Sequence, residues 1–553
     1  MKKILTLFLV IVFGVYSSTG VALAATDDDG KKEFSVLSVG DYDSYANLTF
    51  EDANYFDDYL QDTLGWTKIQ YEVDPNPNGT GDNYNPTDKT AIGVSLGDFT
   101  DQGSGTVPQA DQGDLLYFMG HAYPSEMLLK DELDSVSYTD VGSTYDSGTK
   151  SSNSAWDDDL EWIILGACSI ANRDSSGVQW AKTLLGSPRR AHGIYGYKGS
   201  SPSNPQDLYV AQRFFQNAAG SSPQTIWSSW INANNATQAT NWGVIEHKNN
   251  RDYLWGKGTV TSDTTGDPVI YQYQYNHSPI EIFNATKSNS VTNDVYGLNT
   301  SFNVSPEELD EDTIINQFFD GKDKLAKNKD NNGNLLVEGP SGSNLEIYNT
   351  SGAVLYSKEI TEETINFGTD NAISKAEEFI KVHGGRPFDA TISKIWPLEK
   401  TVIDIFNDTT GTPETIGYLV EYKRVINGML VDGYNGDSIR VLIDKNGVSN
   451  YYRLWRDIKS NDGNKKVNNA EAKGNDNNIK NIIASGQALE KAKRNANKIY
   501  KINKDINPTD AELVYFSKSF MHDQQIMEPA WRVKIDVNAY LYVNAYTGEV
   551  EEY

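Results

Sequence analysis

One cysteine, Cys168, stands in 553 residues. The chain can therefore form no internal disulfide, and its fold must be held by burial and hydrogen bonding. Proteins of oxidising compartments are usually disulfide-rich or cysteine-free, so a lone thiol calls for a reason. Basic residues are scarce as well. The 48 Lys and Arg face 76 Asp and Glu, a formal charge of −28. Such an excess repels polyanions, which excludes nucleic acid as a partner and disfavours adhesion to anionic membrane surfaces. Beyond the N-terminus no segment has the roughly 18 consecutive apolar residues of a membrane span. There is no His-Glu-x-x-His and hence no zincin centre. There is no Gly-x-x-x-x-Gly-Lys-Ser/Thr and hence no phosphate loop. Neither a metal nor a cofactor is implied.

What the chain does have begins with a signal-peptide pattern over 1–24. Lys2 and Lys3 are the charged start, Ile4 to Tyr16 the apolar stretch, and Ala22-Leu23-Ala24 the small-residue cleavage site. The mature chain is expected to start at Ala25 and to be secreted or associated with the cell envelope. The length suits roughly two to four domains.

From Phe34 the pattern alternates. Strands are predicted at Phe34–Gly40, Thr67–Val73, Leu115–Gly120, Leu160–Ala167 and Ala191–Tyr197. Helices are predicted at Glu51–Leu64, Gly177–Leu185, Gln206–Ala218 and Pro223–Asn232. Alternation of this kind gives an α/β fold, a mostly parallel sheet flanked by helices. Tyr253–Tyr275, with alternating Tyr and Gln, reads as added β structure. Two apolar runs end in chemistry: Asp114–Gly120 in His121, and Leu160–Ala167 in Cys168. Parallel strands end together at one rim, where sites form in open α/β sheets. A thiol and an imidazole there can serve as nucleophile and base. The same residues also suit a small buried hydrophobe and a polar loop residue, or a pocket kept for binding alone.

The motifs Gly120-His121-Ala122 and Gly166-Ala167-Cys168-Ser169 resemble those of the caspase and gingipain group of cysteine peptidases. There one strand delivers a His-Gly and the next an Ala-Cys or Ser-Cys, about fifty residues apart. The stretch from about Glu33 to about Phe283 is similar to a family of secreted bacterial proteins of uncharacterised function with such a core. The resemblance implies Cys168 as nucleophile, His121 as general base, and the backbone N–H groups of Ala122 and Cys168 as oxyanion donors. Ala122 stands where the group has glycine. Specificity in such folds comes from loops after the cysteine strand and the one following it, which offers Trp180, Tyr197 and the Lys198–Gln206 loop as contacts for a peptide or protein substrate.

Beyond a connecting β-rich segment, a helix followed by a small antiparallel sheet recurs. The first copy has a helix at Ala372–Val382 and strands at Gly417–Val425 and Ser438–Asp444. The second has a helix at Gly486–Ile499 and strands at Ala511–Ser517, Pro529–Val537 and Ala539–Val543. Residues 370–553 thereby resemble PepSY-like modules, which implies modulation of a partner rather than catalysis. The expected division is 1–24 signal peptide, 25–300 caspase-like α/β domain, 301–370 connecting segment, 371–457 first PepSY-like module, 458–478 polar linker and 479–553 second module. Basic residues between Lys465 and Lys504 can bring the last module against the Asp-rich first domain. A chain ending near Asp310 is then expected to fold alone; if the modules instead complete the core of the first domain, it is expected to be insoluble or unfolded.

Other candidates read as structural. His192 opens a strand, at the rim opposite Cys168. His383 reads as a helix C-cap. His247, His277 and His522 have no ligand-like spacing. Asn328–Glu338 resembles an imperfect calcium loop but reads better as a turn, and Asp27–Asp29 and Asp157–Asp159 as solvated faces. The sequence thus points to an exported cysteine hydrolase, a peptidase using a His121/Cys168 dyad. Its alternative is a non-catalytic secreted or envelope binding protein on a degenerate caspase-like fold.

Overall fold

The computed structural model describes residues 31–40, 42, 48, 50–74, 94, 96–99, 110–129, 135–141, 156, 159–172, 175–185, 191–202, 205–237, 240–248, 250–261, 269–276, 278–282, 301–320, 325–405, 407–459, 481–500, 511–536 and 539–551. The expected signal peptide, Asp27–Asp29, His277, Asp157, Asp158 and nearly all of the expected polar linker lie outside them.

Five parallel strands form the first half of the sheet: β1 (Glu33–Val39), β2 (Thr67–Asp74), β3 (Leu115–Met119), β4 (Trp162–Gly166) and β5 (Gly193–Tyr197). They lie in the order β2-β1-β3-β4-β5, and the order reverses between β1 and β3. Every described residue of β1, β3 and β5 is buried, as expected of strands covered on both faces. Period-two alternation divides β3 between two cores. Leu115, Tyr117 and Met119 face helices α1 (Glu51–Asp58), α3 (Gln206–Ala219) and α4 (Ile226–Ala236). Leu116 and Phe118 face α2 (Ser175–Leu184), with Trp180 and Leu184. The helix predicted to reach Leu64 is α-helical only to Asp58 and then widens into a π turn over Tyr59–Thr63. The extra residue per turn lets Tyr59 stack on Phe215 at 4.5 Å while Leu60 stays in the core.

The sheet then turns antiparallel without ending. β6 (Trp242–His247) pairs β5, and β7 (Val269–Tyr275) pairs β6. Of the β structure expected over Tyr253–Tyr275, β7 is the described strand; residues 255–257 form a turn. β7 in turn pairs β12 (Ala390–Asp404) along its whole length, from Val269 opposite Asp404 to Tyr275 opposite Leu398. The 15-residue β12 has no counterpart among the predicted strands, because Pro397 sits in its middle and proline lacks the ladder N–H. The Pro397 carbonyl accepts from Asn276 N–H on the β7 side, where β7 has just ended. The missing donor therefore faces a gap in the ladder.

Between these lie β8 (Ala326–Lys329), β9 (Leu335–Glu338), β10 (Asn344–Tyr348) and β11 (Ala353–Ser357). After β12 come β13 (Glu414–Ile426), β14 (Met429–Asp432), β15 (Ser438–Asp444) and β16 (Gly447–Leu454). The ladder runs β12-β13-β15-β16-β11-β10-β9-β8. β14 leaves β13 and pairs in parallel with β17 (Ala511–Phe516), which continues to β18 (Pro529–Asp536) and β19 (Ala539–Asn544). Among the described residues 21 strands, short ones included, join in this one mixed sheet. A helix lies over antiparallel strands twice: Thr369–Val382 through Ala372, Ala376 and Ile380, and Ser485–Tyr500 through Ala488, Ala492 and Ala496. Alanines four residues apart form one stripe and let each helix sit close to its sheet. Among the described residues no helix is long and apolar enough to cross a membrane.

The core under α3 and α4 is not closed by the first 300 residues. Ile360, Trp396, Leu398, Ile416, Leu419 and Leu442 belong to it. Polar contacts cross the same seam: Thr225 Oγ1 donates to Glu359 at 2.6 Å, and Arg213 pairs with Glu346 at 2.6 Å. A chain truncated after Asp310 keeps β7 as an unpaired edge and exposes that apolar surface, which favours aggregation. We expect it to be insoluble or to lack a cooperative unfolding transition, in contrast to the full chain; circular dichroism and size-exclusion chromatography check this. A monomeric truncation that unfolds cooperatively would show that the first 310 residues close their own core.

Candidate functional site at the strand-end rim

β3 and β4 pair with Met119 opposite Gly166. The pairing ends there, and His121 and Cys168 each follow two residues later, past the C-terminal ends of adjacent strands. Each residue has its own anchor. The His121 backbone N–H donates to the Tyr42 hydroxyl at 2.7 Å, and the two rings lie 4.7 Å apart. Tyr42 follows β1, so the imidazole sits at the point where strand order reverses, where open α/β sheets form their crevice. The Cys168 Sγ lies 3.4 Å from Ser201 Oγ and accepts the Ser201 N–H at 3.3 Å. Both residues are partly exposed. Just after the thiol, Ser169 has φ of 66°, a left-handed conformation that is strained for a non-glycine residue. Its N–H is held by the Gly199 carbonyl at 2.9 Å, so the chain reverses sharply under Cys168.

The two motif glycines have a packing role. A Cβ on Gly120 would lie 2.6 Å from the Tyr42 hydroxyl, and one on Gly166 would lie 2.7 Å from the Tyr117 hydroxyl. Each absent side chain leaves room for a tyrosine tip.

The remaining candidates are dispersed. Ala122 opens a two-residue strand opposite Met127, in a hairpin fixed by Leu128 N–H donating to the His121 carbonyl at 2.9 Å. Trp180 is buried; its indole N–H donates to the Pro124 carbonyl at 3.1 Å, so it braces that hairpin from beneath. Tyr197 is buried below the rim. With Tyr117, Gly166, Ser201 and Asp207 it surrounds a hollow of about 10 Å³, room for about one water. His192, at the opposite rim, is buried with Nδ1 2.6 Å from Asp252. That neighbour overcomes burial and lowers the Asp252 carboxyl. His383 caps its helix, with Nδ1 2.8 Å from the Phe379 carbonyl. Asp330 organises the calcium-loop-like segment as a turn, accepting the Asn332 and Asn334 N–H groups at 2.8 Å each. Among the described residues no three His, Cys, Asp or Glu side chains converge on a metal position.

Two carboxyls missing from the sequence reading lie beside the hollow. Asp52, from α1, accepts the Tyr117 hydroxyl at 2.5 Å. Burial pushes it up to about 6 against that hydrogen bond. Asp207, in the first turn of α3, is pushed well up by burial and then by Asp52. Two carboxyls in one enclosed place do not both ionise readily. Burial first, and then Asp207, Asp52 and Cys168, push the Tyr197 phenol well up. The sequence signal was present: Asp52 precedes Phe56 by four residues, and Asp207 precedes Val210, Ala211 and Phe214 by three, four and seven, so each acid lies on an apolar stripe.

The folded chain binds the Asp52 proton more tightly than the unfolded chain between the ordinary value of 3.8 and about 6. Its stability therefore falls as pH rises through that window, by about 1.4 kcal/mol per unit for a full proton. Asp52→Asn removes the group and still offers Tyr117 an acceptor. Its stability relative to the parent should climb from pH 4 to 6 and then level off, read by urea unfolding at each pH. Parallel profiles would show that Asp52 titrates normally.

Compared with known proteins, residues 76–276 match a family described as Domain of unknown function (DUF6345). None of the curated proteins matches the chain. Among solved structures, an uncharacterized protein from Eubacterium rectale aligns at 12% identity over 46% of this chain and 85% of its own, with a TM-score of 0.28.

Proposed function

We propose that the chain is an exported cysteine hydrolase acting on peptides, with a caspase/gingipain-like core followed by PepSY-like modules. The observation that carries this reading is the Met119–Gly166 register, since His121 and Cys168 each follow that pair by two residues on adjacent parallel strands. That is the arrangement the motif resemblance leads one to expect. The strained turn at Ser169 adds support, since backbone strain gathers at functional sites. In this reaction His121 takes the Cys168 proton, and the thiolate attacks a peptide carbonyl to form an acyl-enzyme. The amine leaves with the proton returned by His121, and water then releases the acid. Ser201, which holds the sulfur in the resting state, positions it. The alanine stripes and small sheets of the C-terminal half support PepSY-like modules that shape access to the rim. Export rests on the Lys2-to-Ala24 pattern.

A second reading, a binding protein on a degenerate core, is favoured by the hold of Ser201 on the thiol through both its hydroxyl and its N–H. Alkylation by iodoacetamide separates the two. We expect the folded protein to react at Cys168 well below pH 8, and His121→Ala to raise the midpoint of that reaction without a matching loss of thermal stability. A thiol that reacts only after denaturation, or a midpoint unmoved by His121→Ala, would favour the binding reading.

A further inference from the structure

A hollow lies between the Ser200–Pro202 loop, which holds the thiol, and the C-terminal strands. It encloses about 280 Å³. Four cations and two carboxylates, Lys394, Lys423, Arg440 and Arg532 with Glu421 and Asp432, stand in its wall, and Lys394 lies 3.8 Å from Glu281 outside it. Most are matched. Asp432 takes Lys423 at 3.0 Å and Arg532 at 2.6 Å, and accepts the Tyr542 hydroxyl at 3.1 Å. Glu421 lies 3.7 Å from Lys423, and Arg532 also reaches Glu512 at 2.5 Å.

Arg440 differs. It is 2% exposed. One guanidinium nitrogen, Nη2, donates to the Asn235 backbone carbonyl, and the plane lies 4.8 Å from the Tyr452 ring. Among the described residues its Nε has no acceptor. Glu421 faces it across the β13–β15 ladder but is engaged with Lys423. Burial lowers the guanidinium from its ordinary value. Glu421 is shared between Arg440 and Lys423, a buried charge that shares its carboxylate is costly, and an orphaned buried donor calls for a partner.

We propose that this hollow is a binding site for a peptide carboxylate, seated against the Arg440 guanidinium. A guanidinium presents paired donors that match a carboxylate. The neighbouring Glu421 and Asp432 repel a phosphate dianion more strongly than a carboxylate monoanion. Tyr434, Tyr540 and Trp396 in the same wall suit peptide stem atoms. The carboxylate belongs either to an acidic side chain or to a peptide C-terminus. The site goes beyond the hydrolase reading, because it needs no reaction at the thiol.

Calorimetry on the full chain tests it with four probes: acetyl-Ala-Glu-Ala-amide, acetyl-Ala-Gln-Ala-amide, acetyl-Ala-Gln-Ala with a free C-terminus, and inorganic phosphate. We expect one of the two carboxylate peptides to bind at least tenfold more tightly than the neutral peptide and than phosphate. Which one does so identifies the source of the carboxylate. Arg440→Gln should abolish the preference, and Cys168→Ala should leave it intact even if the thiol proves inert to alkylation. Should Arg440→Gln not fold, Thr240→Trp, at a partly exposed position in the wall, is expected to block the same binding. Equal binding of neutral and charged peptides, tighter binding of phosphate, a preference that survives Arg440→Gln, or binding unaffected in Thr240→Trp would each overturn the proposal.

Discussion

The antiparallel ladder between β7 and β12 is the joint on which the architecture depends. Seven consecutive pairs, from Val269–Asp404 to Tyr275–Leu398, weld a parallel sheet to an antiparallel one. The joint removes the edge that β7 would otherwise present. It also sets Trp396 and Leu398 beneath α4, where they share one core with Trp227, Trp230 and Tyr273. A one-residue slip would turn those side chains to the opposite face, so apolar pairing fixes the relation between the two halves. The hollow beside Ser201 follows from that relation, because its walls come from the rim loop on one side and from β12, β13, β14, β15, β18 and β19 on the other.

The rim is organised by tyrosine tips rather than by charge. Tyr42 and Tyr117 pass through spaces left by Gly120 and Gly166 to reach the His121 backbone and Asp52. Both hydroxyls hold backbone and carboxyl groups that would be costly to bury unsatisfied. Cys168 sits between this apolar, proton-retaining floor and the polar hollow beyond Ser201. The thiol thus lies where a dry interior meets a charged cleft.

Much of the first half was legible because burial on both faces writes long apolar runs. Leu115–Met119 and Trp162–Gly166 announce strands, and the residues ending them announce a rim. The repeated helix-and-sheet pattern was legible from period alone. β12 was not, because Pro397 reads as an interruption unless one knows that Asn276 meets its carbonyl where β7 stops. Nor could the partner of β7 be found, since alternating Tyr and Gln specify a strand and leave its neighbour open. The Asp52–Asp207 pair was hidden for a related reason: each acid is visible on an apolar stripe, but their meeting depends on two helices packing over one strand end. Arg440 carries no local signal at all. Its incomplete pairing arises from which neighbours Asp432 and Glu421 have already taken.

The β7–β12 joint also imposes an order in time. During synthesis the first half emerges with β7 lacking its neighbour until residue 404 has followed. At the usual 5–20 residues per second that wait is on the order of ten seconds. Pairings so distant along the chain form slowly, and an open strand edge invites mispairing meanwhile. The first half therefore keeps an open edge until the second has followed. Its maturation is a single late event in which the second half seals an edge left open by the first.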